Sequence, residues 1–129
     1  MDELADRFFA AVGAGDTAAL TEIYAPDARI WHNDKNTEET VTENLRVLRW
    51  LSRTVEDLRY EEIRRYPLSD GFAQQHVLRG YLPGHGPLEV AAALFVRVRN
   101  GRIARIDEYV DSAATQPLRA MSTSARERQ

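Results

Sequence analysis

Residues 89–111 read EVAAALFVRVRNGRIARIDEYVD, two apolar runs that are joined by Asn100 and Gly101. An Asn-Gly pair between two such runs is typical of a type I′ β-hairpin, because both loop residues must take positive φ. A two-residue loop also fixes the register, since the residues that flank it pair directly. Arg99 therefore faces Arg102, and the other pairs of this hairpin are predicted by counting outward.

Counting outward from that pair places Glu108 opposite Ala93, on a face that it shares with apolar side chains. These apolar neighbours are Ala91, Phe95, Ile106 and Val110. A charged carboxylate costs free energy on an apolar face, so we expect burial to favour its protonated form and to suit Glu108 to general acid or base catalysis. The small alanines leave volume that a ligand would fill. A position at the sheet edge, or pairing with an arginine, is the structural alternative for Glu108.

The opposite face of the same hairpin mixes apolar and charged side chains. It is predicted to carry Val90, Ala92, Leu94, Val96, Val98, Arg105, Asp107, Tyr109 and Asp111. A surface of this composition suits contact with a second copy of the chain. We therefore predict a homodimer that forms through the outer face of the sheet.

A second hairpin precedes this one, and we expect its turn at residues 83–86, Pro-Gly-His-Gly. A four-residue loop there turns Gln74 and His76 to the same face as Glu108, with His76 opposite Ala93. Imidazole and carboxylate then lie in one row across three strands, as a proton-transfer pair that works near neutral pH.

Two alternatives stay open for this second hairpin. A one-residue bulge would turn Gln75 and Val77 inward in place of the residues on either side. A single histidine in a strand also serves a structural role in many proteins. The position of His76 in the sequence does not by itself define a catalytic residue.

The rest of the chain divides into helices first and strands afterwards. Apolar residues at helical spacing predict a first helix up to Gly15, a second helix that carries Leu20 and Ile23, and a third helix at about 40–54. A short strand at 28–31 separates the second helix from the third. Alternating patterns then predict strands at about 57–66, 72–82, 87–99 and 102–110. This order predicts an α+β domain.

Composition excludes several classes of function. The chain has 129 residues, 17 Lys and Arg, 20 Asp and Glu and a formal charge of −3, without a basic stripe, so nucleic acid is not an expected partner. There is no cysteine, which rules out a disulfide, a thiolate metal site and a cysteine nucleophile. The acidic N-terminal segment and the lack of a long apolar run predict a soluble cytoplasmic protein without membrane contact.

Residues 27–34, DARIWHND, end a predicted strand with three polar side chains. His32, Asn33 and Asp34 form either the start of a solvated loop or the rim of a ligand pocket. The sequence alone is compatible with both interpretations.

Two stretches carry a resemblance to a known family: RFFAAVGAGDTAALTEIYAPDARIWHN at residues 7–33 and NGRIARIDEYVDS at residues 100–112. From Leu4 to Leu118 the chain resembles the nuclear transport factor 2-like superfamily, in particular its SnoaL-like members. The resemblance implies a cone-shaped, curved antiparallel sheet wrapped over three N-terminal helices, a cystatin-like α+β barrel with a deep apolar pocket, usually as a homodimer. It implies a single domain at 1–120, and we expect a disordered tail at 121–129.

Within this superfamily the chain is similar to limonene-epoxide hydrolase at WHN and DEYVD. The similarity implies that Trp31 is an aromatic pocket residue, that Asn33 holds a water and that Glu108 activates this water. The hydrolase also carries an arginine and an aspartate two residues apart on the strand that reads AQQHVL here, at 73–78. Neither is present, so His76 alone is left to protonate an epoxide oxygen.

Ketosteroid isomerase is the second enzyme family that the chain resembles. The alignment implies that His32 stands where that enzyme carries its catalytic base. Phe8 and about Ala93 stand where it carries its oxyanion-binding tyrosine and aspartic acid, and neither can donate a hydrogen bond to an enolate. Ketosteroid isomerisation is therefore not expected, while the acid/base chemistry of SnoaL-like polyketide cyclases stays compatible.

Two functions are predicted from these observations. The first is a cofactor-independent enzyme that binds a small apolar molecule and moves a proton, in epoxide hydrolysis or in isomerisation or cyclisation of a carbonyl or polyketide-like compound. The second is a ligand-binding or dimeric assembly module that has the same fold without catalysis. The predicted catalytic residues are Glu108, His76, His32 and Asn33, and the predicted ligand-binding residues are Trp31, Gln74, Phe95, Phe8 and Trp50. No metal site and no cofactor are predicted.

Overall fold

The computed structural model describes the backbone of residues 2–127 and the side chains of residues 2–122. This part of the chain forms four helices and six strands. The helices are α1 (Asp2–Ala14), α2 (Thr17–Ile23), α3 (Val41–Thr54) and α4 (Ser112–Glu127). The strands are β1 (Tyr24–His32), β2 (Thr37–Thr40), β3 (Glu56–Leu68), β4 (Gly71–Leu82), β5 (Gly86–Arg99) and β6 (Arg102–Val110).

All six strands form one sheet in the order β2-β1-β6-β5-β4-β3. β1 runs parallel to β6, and the other neighbouring pairs are antiparallel. β2 and β3 are the two edges, so the sheet is open and does not close into a barrel. The predicted α+β class is confirmed.

Local sequence signals set the ends of the first helices. α1 is followed by Gly15, whose φ of 65° is readily adopted by glycine. Asp16 then caps α2, because its side chain accepts a hydrogen bond from the Ala19 N–H at 3.0 Å. The buried side of α1, with Phe8 and Val12, packs into the main core of the molecule.

The C-terminal segment differs from the prediction. In place of a disordered tail from residue 121, the structure has a fourth helix, α4, which continues to Glu127. Leu118 and Met121 of α4 pack against a small apolar cluster, and this burial explains the helix despite Pro117 within it. Residues 128 and 129 lie outside the described part of the chain.

The β5–β6 hairpin has the predicted turn but a different register beyond it. Both loop residues have positive φ, and the predicted pairing beside the turn is confirmed. A β-bulge next to Arg97 then shifts the two strands by one residue. Glu108 consequently faces Leu94, and its predicted pairing with Ala93 is wrong.

The β4–β5 hairpin is shifted in the same way. Its loop is one residue shorter than predicted, because Leu82 pairs with Gly86. His76 consequently faces Ala92, and its predicted pairing with Ala93 is wrong.

Together the two shifts invert the faces of β5 alone. Side chains alternate along a strand, so moving β5 by one residue against both neighbours exchanges its inner and outer side chains. Phe95 therefore faces outward and is 46% exposed. The inner faces of β4 and β6 are unchanged, which keeps His76 and Glu108 on the same side of the sheet. Five residues of β5 that were predicted on an outer dimer surface face inward instead, so this part of the prediction is wrong. They are Val90, Ala92, Leu94, Val96 and Val98.

The core consists of two clusters. In the main cluster, the inner face of the sheet packs against α1, α2 and α3, and its enclosed side chains include Leu20, Tyr24, Phe72, Val96 and Ile103. The smaller cluster, beside α4, contains Val55, Leu82, Leu88 and Val90. None of the helices between residues 2 and 127 has the length and apolar character needed to cross a bilayer.

Candidate functional site

A cavity of about 940 Å³ lies on the inner side of the sheet. The rest of its wall comes from α1, α3, α4 and the turn between β1 and β2. Its apolar lining includes Phe8, Phe9, Leu48, Leu51, Leu78, Leu94, Ile106 and Leu118. Its polar lining includes His32, Asp34, Glu39, Asn44, Tyr60, His76, Glu108 and Thr115. A cavity of this volume that combines apolar walls with polar groups suits a small organic molecule.

His32 connects two carboxylates in this cavity. Its Nδ1 lies 2.8 Å from Glu108 Oε1, and its Nε2 lies 3.2 Å from Glu39 Oε1. An ionised carboxylate only accepts hydrogen bonds, so both ring nitrogens must donate, and only an imidazolium does this. Burial alone would lower the pKa of His32, but the hydrogen bonds to Glu108 and Glu39 outweigh it and raise this pKa to about 10. His32 is therefore charged at neutral pH.

Three neighbouring strands bring these groups together. His32 is the last residue of β1 and is the direct partner of Glu108 on the parallel strand β6. Glu39 reaches the same ring from β2, the edge strand that pairs with the other side of β1. The charge cluster thus depends on β2, a four-residue strand that the sequence does not predict.

The cluster extends through Asn44 to Tyr24, and both of these side chains are buried. Asn44 Nδ2 donates to Glu39 Oε1 at 3.0 Å, and the Tyr24 hydroxyl donates to Asn44 Oδ1 at 2.7 Å. A capping box at Thr40 starts α3 and so places Asn44 in its first turn. Burial alone would raise the pKa of Glu39, but the hydrogen bonds from His32 and Asn44 outweigh it and lower this pKa.

His76 lines the cavity from β4 and has a different environment. Gln74 Nε2 lies 2.9 Å from His76 Nδ1, and Arg65 Nε donates to Gln74 Oε1 at 2.8 Å. The imidazole also packs edge-to-face on the Tyr60 ring, with the centroids 4.7 Å apart. Burial lowers the pKa of His76 by more than the negative charge of Glu108 raises it, so this histidine is neutral at pH 7.

Five of the nine residues predicted from the sequence line the cavity. They are Glu108, His32, His76, Phe8 and Trp50. Gln74 does not line the cavity. It is buried, with an exposure of 1%, and contacts His76 from behind.

Trp31 and Phe95, which were predicted as pocket walls, lie on the outer face of the sheet. Both rings pack against Tyr109, with centroid distances of 5.2 Å for Trp31 and 6.3 Å for Phe95. Phe95 faces outward because β5 is inverted. Trp31 faces outward because it alternates along β1 with Ile30 and His32, which both line the cavity.

Asn33 joins two strand ends and does not line the cavity. Its Nδ2 donates to the Val110 carbonyl at 3.2 Å, and its Oδ1 accepts from the Val110 N–H at 2.8 Å. The geometry therefore gives no support to the predicted water-holding role of Asn33. Asp34 does line the cavity, where its carboxylate accepts from the Thr115 hydroxyl at 3.1 Å. Of the three polar residues after β1's apolar run, His32 and Asp34 thus form part of the site.

The predicted site does not include several of the polar cavity residues, among them Glu39, Asn44 and Tyr60. One of them has a sequence signal: the pattern Thr40-x-x-Glu43 predicts a capping box, and hence a first-turn position for Asn44. Glu39 lies in a short polar segment and Tyr60 in a strand with irregular pairing, and neither has a comparable signal.

The site combines the Glu108 carboxylate with the neutral imidazole of His76 in one cavity. Glu108 accepts the His32 hydrogen bond at Oε1, while its Oε2 has no hydrogen-bond partner among residues 2–122. The same range contains no group of three or more histidine and carboxylate side chains placed to hold a metal ion. Proton transfer is the chemistry that these side chains themselves support.

The fold and the cavity define an α+β protein with a cluster of polar side chains on the inner face of its sheet. The sequence matches the SnoaL-like domain over residues 5–106. The chain therefore belongs to the SnoaL-like family. No curated protein matches it significantly.

Solved structures share this fold. IdmH, a candidate polyketide cyclase from Streptomyces antibioticus, superposes with a TM-score of 0.76 at 23% identity, over 88% of this chain and 93% of its own. A candidate SnoaL-like polyketide cyclase from Shewanella putrefaciens gives 0.78 at 15% identity, over 93% and 96%. A protein of ketosteroid isomerase-like fold from Catenulispora acidiphila, solved with trimethylamine, gives 0.73 at 19% identity, over 83% and 84%. At these identities the likeness establishes the fold alone.

Proposed function

We propose that this protein is a cofactor-independent enzyme that moves a proton on a small, mostly apolar carbonyl compound, as an isomerase or a cyclase. The observation that supports this most directly is the setting of Glu108. Its carboxylate accepts a hydrogen bond from the His32 imidazolium at 2.8 Å, inside the cavity, and its second oxygen is unpaired among the described residues. An ionised, partly desolvated carboxylate with an unpaired oxygen suits a general base.

The charges around His32 support this role for Glu108. Glu39 and Glu108 carry two negative charges and His32 one positive charge, so the cluster as a whole is negative. When Glu108 takes a proton from a substrate, the cluster becomes neutral and its negative charge passes to the enolate oxygen of the substrate. In this proposal His32 is a positioning residue, because both of its nitrogens are already engaged, and it is not the predicted proton donor.

A carbonyl compound fits the site better than an epoxide does. Hydrolysis of an epoxide needs a held water and an acid, but Asn33 is bonded to the β6 backbone and Trp31 lies on the outer face. His76 lines the cavity as a neutral group that suits a developing oxyanion. Membership of the SnoaL-like family, and the cyclase descriptions of IdmH and the Shewanella protein, are consistent with this choice.

Deuterium exchange tests this proposal without knowledge of the natural substrate. 2-Tetralone is a bicyclic, apolar ketone whose C1 hydrogens exchange through an enolate, and its exchange in D₂O is followed by ¹H NMR. We expect the wild-type protein to accelerate exchange over buffer, and Glu108→Gln to reduce this acceleration by about 100-fold or more. Circular dichroism checks that the variant is folded.

Asp107→Asn is the matched control for Glu108→Gln. It makes the same carboxylate-to-amide change at the preceding residue of β6, whose side chain pairs with Arg105 outside the cavity. We expect Asp107→Asn to keep the wild-type exchange rate. Equal rates for the wild type and Glu108→Gln would refute the assignment of the base.

A binding module is the second candidate function. It is favoured by the same hydrogen bonds of His32, since a closed ion-pair cluster also stabilises a cavity without any catalysis. Saturation-transfer NMR separates the two functions. Binding of 2-tetralone with exchange at the buffer rate supports the binding module, whereas binding with accelerated exchange supports the enzyme.

A further inference from the structure

We infer that Tyr60 and His76 form an oxyanion-binding pair in the cavity, with His76 fixed as its Nε2–H tautomer by Gln74 and Arg65. The catalytic consequence of this inference rests on the proposed function. The pair identifies the substrate class as compounds whose carbonyl oxygen becomes an enolate oxygen when Glu108 removes a neighbouring proton.

The tautomer follows from a chain of donors. An arginine side chain has only donors, so the group of Gln74 that faces Arg65 Nε at 2.8 Å is the amide oxygen. The amide NH₂ of Gln74 therefore faces His76 Nδ1 at 2.9 Å and donates to it. A nitrogen that accepts a hydrogen bond carries no proton. The proton of the neutral His76 ring is consequently on Nε2.

This arrangement is held firmly from outside the cavity. Gln74 is 1% exposed and His76 is 4% exposed, so neither has room to exchange its partner for water. Arg65 is anchored in turn by Asp6, whose carboxylate accepts from Arg65 Nη1 at 2.9 Å. Rotation of the Gln74 amide would set its NH₂ against the Arg65 guanidinium, which would leave two donors facing each other. The structure thus permits one orientation of the Gln74 amide in the relay Arg65–Gln74–His76.

Tyr60 supplies the second donor. Neither its hydroxyl nor His76 Nε2 has a hydrogen-bond partner among the side chains described, residues 2–122. Every fully buried side-chain nitrogen or oxygen in that range has a hydrogen-bond partner. The Tyr60 hydroxyl and His76 Nε2 have none, so both atoms must be accessible to solvent or ligand. The cavity is the space that both residues line, and their rings are 4.7 Å apart. Two neutral donors therefore belong to residues that are in contact and line the same cavity.

Burial keeps both donors neutral, and it does so for His76 against the negative charge of Glu108. Several charged and titratable groups face His76. They are Tyr60 on β3, Arg65 on β3 through Gln74, and Glu108 on β6. Burial, reinforced by the negative charge of Glu108, raises the pKa of the Tyr60 hydroxyl, so it stays protonated. A pair of fixed neutral donors stabilises an oxygen most strongly when that oxygen gains negative charge.

Gln74→Glu tests the relay. A glutamate at this position accepts from both Arg65 and His76, so we expect its carboxylate to draw a proton to His76 Nδ1. Long-range ¹H–¹⁵N spectra distinguish the states, because a protonated nitrogen gives a pyrrole-like signal and an unprotonated one gives a pyridine-like signal. We expect wild-type His76 to be pyridine-like at Nδ1 at pH 7. In Gln74→Glu we expect Nδ1 to be pyrrole-like and the titration midpoint to rise by about one pH unit or more.

Gln75→Glu is the control, because it makes the same change at the next residue, which faces the opposite side of β4 and contacts Tyr66. We expect it to leave the His76 spectrum unchanged. A wild-type His76 with its proton on Nδ1 would overturn the inference, and this result needs no variant to fold. An unchanged His76 spectrum in a folded Gln74→Glu variant would overturn it as well.

Binding of 2-naphthol, a rigid apolar mimic of an enolate, tests the contribution of Tyr60. We expect Tyr60→Phe to weaken the affinity about tenfold, by removal of one hydrogen bond to the ligand oxygen. Tyr66→Phe, which removes a hydroxyl from the outer face, is expected to bind with wild-type affinity. Equal affinities for the wild type and Tyr60→Phe would overturn the pair. These measurements involve no turnover, so they stay decisive even if 2-tetralone exchange fails and refutes the proposed function.

Discussion

His32 lies between two carboxylates, and its positive charge holds the polar part of the cavity together. Because folding raises its pKa from the ordinary 6.5 to about 10, protonation of His32 stabilises the folded state. This stabilisation is fully present below about pH 6.5 and is lost as the pH rises through about 10. Stability should therefore depend on pH in a range where few other side chains titrate.

We predict that the free energy of unfolding of the wild type falls relative to that of His32→Gln between pH 7 and pH 10.5. The expected decrease is on the order of 3 kcal/mol, less than the full pKa difference implies because the side chain is partly exposed. Urea denaturation at several pH values measures it. His85→Gln, at an exposed histidine in the β4–β5 loop, is the control. A constant difference between wild type and His32→Gln would contradict the prediction.

The residues of the site were predictable from the sequence to different degrees. Glu108 and His76 were placed correctly on one face, although both predicted partners on β5 were wrong. His32 was named as a candidate, but the sequence does not show that Glu39 reaches its second nitrogen, because β2 is a short polar strand. Asn33 was predicted as a site residue, but its side chain bonds the backbone of Val110 and so joins β1 to β6.

At the scale of elements, the sequence predicts where strands lie better than it predicts how they pair. The predicted strands β3 to β6 agree with the observed ones to within a few residues, because apolar alternation and turn residues are local signals. A β-bulge next to Arg97 and a shortened loop before Gly86 have no local signal, yet each shifts a register by one residue. α4 was missed because Pro117 and several Ser and Thr residues argue against a helix there.

Gly71 fixes the start of the β4–β5 pairing, and we predict that Gly71→Ala destabilises the fold by about 2–4 kcal/mol. A Cβ at this position would lie 1.8 Å from the Val96 carbonyl oxygen, so the backbone must move. Gly13→Ala is the matched control. Gly13 lies within α1, and a Cβ there would be in ordinary contact with the Leu58 carbonyl oxygen, at 3.7 Å. We expect it to stabilise the fold by about 0.5–1 kcal/mol. Chemical denaturation measures both, and a mild effect of Gly71→Ala would contradict the prediction.

At the scale of the whole molecule, the outer face of the sheet is the surface that still lacks a partner. Tyr66, Phe95 and Tyr109 are 49%, 46% and 50% exposed on it, and Arg105 and Asp107 lie beside them. Aromatic residues with charges of both signs can complement a second copy of the same surface. A second copy of the chain is the occupant that we propose for this face. Arg105, Asp107 and Tyr109 belong to the predicted dimer surface, whereas Phe95 takes the place of the β5 residues predicted there.

We predict that Phe95→Glu weakens self-association about tenfold or more, because it places a charge in the centre of the proposed interface. Sedimentation velocity over a range of concentrations measures the change. Ala10→Glu, on the exposed side of α1, introduces the same charge on the opposite layer and should leave association unchanged. A wild-type protein that is monomeric at every concentration would contradict the proposed dimer.

The measurement that bears most directly on the acid/base site is the protonation state of its two histidines at pH 7, from one long-range ¹H–¹⁵N spectrum of the wild type. We predict that His32 is an imidazolium, because its two nitrogens donate hydrogen bonds to Glu108 and Glu39. We predict that His76 is neutral, with its proton on Nε2. A neutral His32 at this pH would show that no cation bridges Glu108 and Glu39, and would contradict the mechanism.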